Sequence, residues 1–299
     1  MTQPAGNNPF VLAGVFALVV AFVLGIGQLT GPQVVAGRAL AESSRPLTQP
    51  STTDPSTPIR PRAVLRLADH PLLLKPTPLA EVTCDLPRFG TSDPALAAYY
   101  AAGVACLDAA WGPLLTAANM PFEKPLLDAS PVLHDGPCGA APESDHAVAY
   151  YCGRNHTIYM PTSRLRSNGG GEAPATHLAT LSHEYGHHVQ ALTGLLRAAD
   201  LKITDAGERT PAGLEMSRRV ELQANCFAGM FLTAVSGRGS VTPSLARQAQ
   251  EDFQYAIEEK PEDNAHGSAK NQAQWAGAGF TANSTSACNT FAAPPAQVS

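Results

Sequence analysis

The chain has 299 residues, which is enough for one large domain or two small ones. Its hydrophobic fraction of 44% is ordinary for a globular protein, and its net charge is −5. No block of basic residues occurs along the sequence, so these values argue against a nucleic-acid-binding function.

The N-terminal part contains an apolar run without a charged residue, FVLAGVFALVVAFVLGIGQL, at positions 10–29. A helix of about 20 residues spans a hydrocarbon core of about 30 Å, so the run predicts a transmembrane anchor within residues 1–30. A cleavable signal peptide is the alternative, because Ala39-Leu40-Ala41 resembles a cleavage site. We expect a single-pass membrane protein that contacts the membrane through this segment, or a secreted protein if the segment is cleaved.

Six cysteines follow the apolar run. An even number of cysteines behind a targeting segment indicates disulfides formed in an oxidising compartment. Arg38 and Arg45 weakly favour the opposite orientation, but two arginines are a small bias, and we expect the folded domain outside the cytoplasm. The predicted disulfides are Cys84–Cys106, Cys138–Cys152 and Cys226–Cys288.

Composition divides the remaining chain into three parts. Residues 31–78 are predicted to be an extended linker, because the stretch at 45–62 consists largely of Pro, Ser and Thr and offers almost no apolar side chains for a core. A folded domain is predicted at 79–292, and a tail follows at 293–299.

The predicted elements of the domain are mostly helices. Asp93-Pro94 is a typical helix start and precedes an Ala-rich helix at 95–115. Two β-prone runs flank Gly153-Arg154-Asn155 and predict a hairpin. The helices expected after the hairpin lie at about 172–196, 214–235, 243–259 and 267–280. The predicted fold class is α+β and mainly helical, with a small sheet before the helix at 172–196.

The sequence His183-Glu184-Tyr185-Gly186-His187 fits the pattern H-E-x-x-H. Two histidines four residues apart project from one face of a helix, so both imidazoles can bind one zinc ion. Zinc lowers the pKa of a bound water towards about 7, and the carboxylate of Glu184 can then take its proton as general base. The polar neighbours His177, His188 and Gln190 are interpreted as bystanders.

A catalytic zinc ion takes three protein ligands and keeps one open position. Glu221 and Asn225 lie four residues apart on the next predicted long helix. Glu221 either completes the ligand set or is an exposed helix carboxylate, and spacing alone leaves both open. Asn225 could accept a hydrogen bond from the other ring N–H of a ligating histidine.

Three strings together resemble a bacterial family named "putative neutral zinc metallopeptidases": LSHEYGHHVQ (181–190), RRVELQANCFAGMF (218–231), and HGSAKNQAQW with a later CNTF (266–291). The resemblance implies a zincin-like domain in which His183, His187 and Glu221 bind zinc and Glu184 is the general base and acid. Asn225 stands where the family usually has Asp, and Gln272 lies near the position of a usual Arg.

Two further side chains are candidates for binding the oxyanion that forms when water attacks a carbonyl. His266 is the favoured candidate, by its position and by the resemblance. Alternatively, His266 could be a surface histidine that caps the next helix. Tyr159 is the weaker candidate. Its strand could instead be an edge strand that pairs with an extended peptide, or Tyr159 could simply lie in the core.

The sequence therefore predicts a zinc-dependent peptidase, a metalloprotease that hydrolyses peptide or protein substrates. The alternative is a non-catalytic, zinc-stabilised extracytoplasmic protein that acts in binding or assembly. Glu184 separates the two functions, because a purely structural zinc site does not need it.

Overall fold

The computed structural model of the chain describes residues 61–141, 148–167, 171–255 and 259–299. It confirms a mainly helical α+β fold with a small sheet. The elements in chain order are α1 (Pro71–Leu74), α2 (Asp93–Ala117), β1 (Leu126–Asp128), β2 (Tyr150–Cys152), β3 (Thr157–Tyr159), α3 (Thr162–Ser167), α4 (Pro174–Thr193), α5 (Leu195–Ala206), α6 (Pro211–Val235), α7 (Pro243–Asp252) and α8 (Ala269–Ala282).

The sheet has three strands in the order β1-β3-β2. The predicted hairpin is confirmed, because β2 pairs antiparallel with β3 and Tyr151 lies opposite Ile158. The third strand, β1, pairs parallel with the other side of β3. The interpretation of the Tyr159 strand as an edge strand is therefore wrong, since β3 lies in the middle of the sheet.

Helix α4 crosses the centre of the domain, and nearly all of its residues are buried. Pro174 stands in its first turn, where a missing N–H costs nothing. The helix ends at Thr193, because Gly194 adopts a left-handed conformation with φ of 93° and donates its N–H to the carbonyls of Gln190 and Ala191. The single helix predicted at 172–196 is thus two helices, α4 and α5, separated by this glycine.

Helix α6 packs between α4 and α8. It starts after Thr210, whose hydroxyl accepts a hydrogen bond from the N–H of Gly213, and Pro211 occupies the first turn. Its apolar side chains include Phe227, which contacts Trp111 of α2 edge-on with ring centroids 5.1 Å apart. The hydrophobic core therefore surrounds α4 and α6, the two helices that carry the predicted zinc ligands.

All three predicted disulfides are confirmed. They join α2 to the segment before it, β2 to the preceding loop, and α6 to the turn that follows α8. Three disulfides in one domain are typical of proteins that fold in an oxidising compartment.

The segment before residue 79 also contacts the domain. The N–H of Val64 donates to the carbonyl of Thr193 at 2.8 Å, and the ring of His70 contacts the same carbonyl at 3.2 Å. Leu72 and Leu73 of α1 are buried in the core. The end of the predicted linker, residues 64–78, is therefore packed against the domain, because apolar side chains, the buried Leu72 and Leu73 among them, interrupt its polar composition.

The prediction of a single-pass membrane protein is contradicted. Within the ranges that the structure describes, none of the helices is long and apolar enough to cross a membrane. The predicted anchor at 10–29 lies outside the described residues.

Removal of the Cys226–Cys288 disulfide by substitution of both cysteines with serine is expected to lower the free energy of unfolding by about 4 kcal/mol. The disulfide spans 62 residues, and a longer loop restricts the unfolded chain more. Removal of Cys138–Cys152, which spans 14 residues, is expected to cost about 3 kcal/mol. Urea unfolding of both variants measures the two costs, and a larger loss for the shorter loop would contradict this ranking.

Candidate metal centre

Three potential metal-ligand atoms converge between α4 and α6. The Nε2 atoms of His183 and His187 lie 3.0 Å apart, and Oε2 of Glu221 lies 3.2 Å from the first and 3.1 Å from the second. The three residues are 1%, 0% and 3% exposed, respectively. Among the described residues this is the one group of three or more His, Cys, Asp or Glu side chains with the spacing of a metal site.

The spacing of the two helices depends on Gly186. A Cβ atom added at Gly186 would lie 2.9 Å from both Cα and the carbonyl oxygen of Ala224 in α6, which is closer than packed atoms tolerate. Glycine at this position therefore lets α6 approach α4 within one turn of His183 and His187. The close approach of the two helices brings Glu221 against both imidazoles. The alternative interpretation of Glu221, as an exposed helix carboxylate, is therefore excluded.

The three atoms fit a tetrahedral zinc ion. Ligand atoms at the usual distance of about 2.0–2.1 Å from zinc lie about 3.3 Å from one another, close to the separations found here. Lone pairs of three such atoms repel one another when buried at this distance, unless a proton or a metal cation lies among them. The site therefore suits a metal ion by both its geometry and its charge.

The carboxyl of Glu221 is adapted to remain ionised. Burial alone raises its pKa, but when the rings of His187 and His183 are protonated, their charge and hydrogen bonds outweigh burial and hold the pKa below its usual value. An ionised carboxylate is the form that binds a metal ion.

Each histidine of the cluster has an amide partner on its other ring nitrogen. Nδ1 of His183 lies 2.6 Å from Oδ1 of Asn225, the contact that the sequence suggested. Nδ1 of His187 lies 2.8 Å from Oε1 of Gln190. Gln190 is fully buried, so its interpretation as a bystander is wrong. The H-E-x-x-H pattern gave no signal for it, because the role of Gln190 depends on contacts with α6.

Glu184 is also fully buried, one residue after His183 in α4. His188, four residues further along, shares its side of the helix. His188 contacts the Tyr151 hydroxyl at 3.0 Å and the carbonyl of Glu123 at 2.7 Å. Burial lowers the pKa of His188 to about 4, so it is neutral at physiological pH and connects α4 to the sheet.

His266 borders the cluster from the loop before α8. The neighbouring Gly267 lies against Leu222, one residue after Glu221, and a protonated His266 would lower the pKa of the Glu221 carboxyl. The partner of His266 was not predicted from the sequence: Nδ1 of its ring lies 3.0 Å from Oε1 of Glu259. The other carboxylate oxygen of Glu259 accepts the backbone N–H groups of Ala265 and His266.

The loop of His266 is held further by α6 and α8. Arg218 donates to the carbonyl of Asn264 at 2.8 Å and to that of Val298 at 2.7 Å. Gln272 donates to the carbonyl of Gly267 at 3.0 Å. Val298 belongs to the predicted tail, but it is fully buried, and its carbonyl binds the same Arg218 that holds the loop of His266.

Tyr159, the weaker oxyanion candidate, and His177, interpreted from the sequence as a bystander, make contacts elsewhere in the domain. The hydroxyl of Tyr159 accepts a hydrogen bond from Asn155 at 3.0 Å, and its ring stacks on Tyr150 with centroids 4.5 Å apart. His177 is buried in α4, with Nδ1 at 2.6 Å from the Tyr100 hydroxyl. Neither belongs to the three-residue cluster.

The fold and the site define the class of the protein as a helical domain with a buried centre of two histidines and one glutamate. The chain belongs to the family "Putative neutral zinc metallopeptidase", whose model matches residues 89–291. Membership supports a zinc peptidase at the level of the family, with zinc as the implied metal.

The chain is similar to several bacterial proteins. An uncharacterized protein of Mycobacterium tuberculosis is 29% identical over 216 residues, which cover 62% of this chain and 68% of that protein. The uncharacterized protein YpfJ of Escherichia coli is 26% identical over 158 residues, or 48% of this chain and 53% of YpfJ. No solved structure matches the chain significantly.

Substitution of Gly186 with alanine is expected to weaken zinc binding and to lower the free energy of unfolding by about 1–3 kcal/mol, because the new methyl group forces α4 and α6 apart. Zinc titration and urea unfolding measure the two effects. The matched control is Gly277→Ala in α8, where the nearest atom to an added Cβ is the flexible Nε2 of Gln250 at 3.6 Å. Equal zinc affinities for the two variants would contradict the role given to Gly186.

Proposed function

We propose that the protein is a zinc-dependent peptidase that hydrolyses peptide bonds. The observation that carries the proposal is the convergence of His183, His187 and Glu221 within 3.0–3.2 Å of one another, beside a buried Glu184. Membership in the metallopeptidase family supports it. In this proposal the three converging residues bind zinc, and the domain is zincin-like.

A zinc ion held by these residues supplies a Lewis acid for the substrate carbonyl and acidifies water. Glu184 takes the proton from the attacking water and returns it to the leaving amine. Its burial supports this role, because a carboxylate removed from bulk water is a stronger base. A zinc site that only stabilised the fold would not need a carboxylate at this position.

His266 is proposed to bind the oxyanion that forms on the carbonyl. Two contacts support this role: the loop of His266 borders Glu221, since Gly267 lies against Leu222, and the contact between Nδ1 and Glu259 orients the ring. Glu259 is then a positioning residue, since its carboxylate orients the ring and two backbone N–H groups of the same loop.

Substitution of Glu184 with glutamine is expected to lower peptide hydrolysis by about 10²–10⁴-fold and to leave zinc binding intact. Glutamine keeps the shape of the side chain but cannot accept the proton. The measurement is cleavage of a library of unstructured peptides, read by mass spectrometry, with zinc content determined on the same samples.

The matched control is Glu251→Gln, an exposed carboxylate on α7, which is expected to cleave like the wild type. If wild type and Glu184→Gln both bind zinc and cleave every peptide equally or not at all, the peptidase proposal is wrong. The alternative, a zinc-stabilised binding protein, would then replace it.

Substitution of His266 with alanine is expected to lower kcat by about 10²–10³-fold, with little change in KM, because an oxyanion donor acts in the transition state. The exposed His134→Ala variant is the control. Steady-state kinetics on a peptide that the wild type cleaves separate the two constants. A rise in KM at unchanged kcat would assign His266 to substrate binding instead.

A further inference from the structure

We propose that Gln190 is a positioning residue that fixes the tautomer of His187. In this tautomer the proton is on Nδ1, and the lone pair of Nε2 faces His183 and Glu221. The inference deepens the proposed function, because an imidazole binds a metal ion only through an unprotonated nitrogen.

A chain of hydrogen bonds leads away from His187 into α6. Nδ1 of His187 lies 2.8 Å from Oε1 of Gln190. Nε2 of Gln190 lies 2.8 Å from the carbonyl oxygen of Val220 and 3.1 Å from Oε1 of Gln223. Nε2 of Gln223 lies 3.0 Å from the carbonyl oxygen of Cys288.

The two backbone carbonyls set the direction of every bond in this chain. A carbonyl oxygen can only accept, so each glutamine has to turn its NH₂ group toward the carbonyl beside it. Rotation of the Gln190 amide by half a turn would bring its oxygen within 2.8 Å of the Val220 oxygen, which is strongly repulsive. Gln190 therefore presents its own oxygen to His187, and Nδ1 of His187 has to carry the hydrogen.

Burial makes this constraint strong. Gln190 and Gln223 are both fully buried, so an amide that turned the wrong way would lose its hydrogen bonds without a replacement from water. The Cys288 carbonyl is itself anchored, because Cys288 forms a disulfide with Cys226 of α6. The chain of bonds thus starts and ends on the backbone of the folded domain.

His183 lacks an equivalent constraint. Its partner Asn225 has no hydrogen-bond acceptor for Nδ2 among the residues that the structure describes. Its amide can therefore present either its oxygen or its NH₂ group to Nδ1 of His183. The direction of the hydrogen bond is therefore fixed at His187 and not at His183. The signals of His183 can serve as an internal reference when the tautomer of His187 is measured.

Two substitutions of Gln190 separate control of the tautomer from a purely structural role. Gln190→Met removes the acceptor for His187 together with both donated bonds. Gln190→Glu removes the same donated bonds but keeps an oxygen acceptor for Nδ1. A structural role predicts that both variants are impaired, whereas control of the tautomer predicts that glutamate restores what methionine loses. Gln248→Met, on the exposed side of α7, is the control.

The first measurement is a two-bond ¹H–¹⁵N correlation spectrum of the imidazoles in the full-length chain. Zinc is removed by a chelator, and the pH is high enough for both rings to be neutral. We expect a protonated Nδ1 at His187 in the wild type, in Gln190→Glu and in Gln248→Met. In Gln190→Met the His187 signals should shift toward a mixture of tautomers, while those of His183 stay unchanged.

The second measurement is the zinc dissociation constant, by competition with a chelator of known affinity. We expect Gln190→Met to bind zinc about 10–100-fold more weakly than Gln190→Glu. A protonated Nε2 at His187 in the neutral wild type would overturn the proposal, even if Gln190→Met does not fold. Identical spectra and zinc affinities for the two Gln190 variants would overturn it as well.

The tautomer is read in metal-free protein and needs no substrate. Its outcome is therefore distinct from failure of the peptidase proposal, which is decided by hydrolysis.

Discussion

The close approach of α4 to α6 at Gly186 and Ala224 is the constraint on which the rest of the site depends. It brings the carboxylate of Glu221 to within 3.2 Å of two imidazoles that share one face of α4. The same approach supplies Asn225 and the Val220 carbonyl as partners for polar groups of α4. A separation of the helices would therefore affect the metal ligands and their hydrogen-bond partners together.

The buried polar groups of α4 and α6 form an ordered network rather than isolated pairs. Two neutral amides, Asn225 and Gln190, orient the two histidines, and Glu221 is the charged member of the three-ligand set. A bound dication would keep a net positive charge in such a set, which favours attraction of a carbonyl oxygen. Low dielectric surroundings strengthen every one of these interactions and penalise each group left without a partner.

Local patterns in the sequence predicted a large part of this arrangement. The four-residue spacing of His183 and His187 and the helical fold around them depend on short-range geometry, which the sequence records directly. The other features of the site and the sheet depend on tertiary contacts, which local patterns in the sequence do not record. Gln190 matters because of a carbonyl in another helix, and Glu259 acts through the loop that it binds. Strand β1 has only three residues, too few for a recognisable alternation, and its pairing with β3 is long-range.

The central claim is that His183, His187 and Glu221 together bind one zinc ion. Its most direct test is the zinc content of the full-length protein by elemental mass spectrometry, beside a Glu221→Ala variant and a Glu215→Ala control on the same helix. We expect about one zinc ion per chain in the wild type and the control, and a loss of zinc in Glu221→Ala. A folded wild-type protein without zinc in zinc-containing medium, or a Glu221→Ala variant that keeps it, would contradict the account.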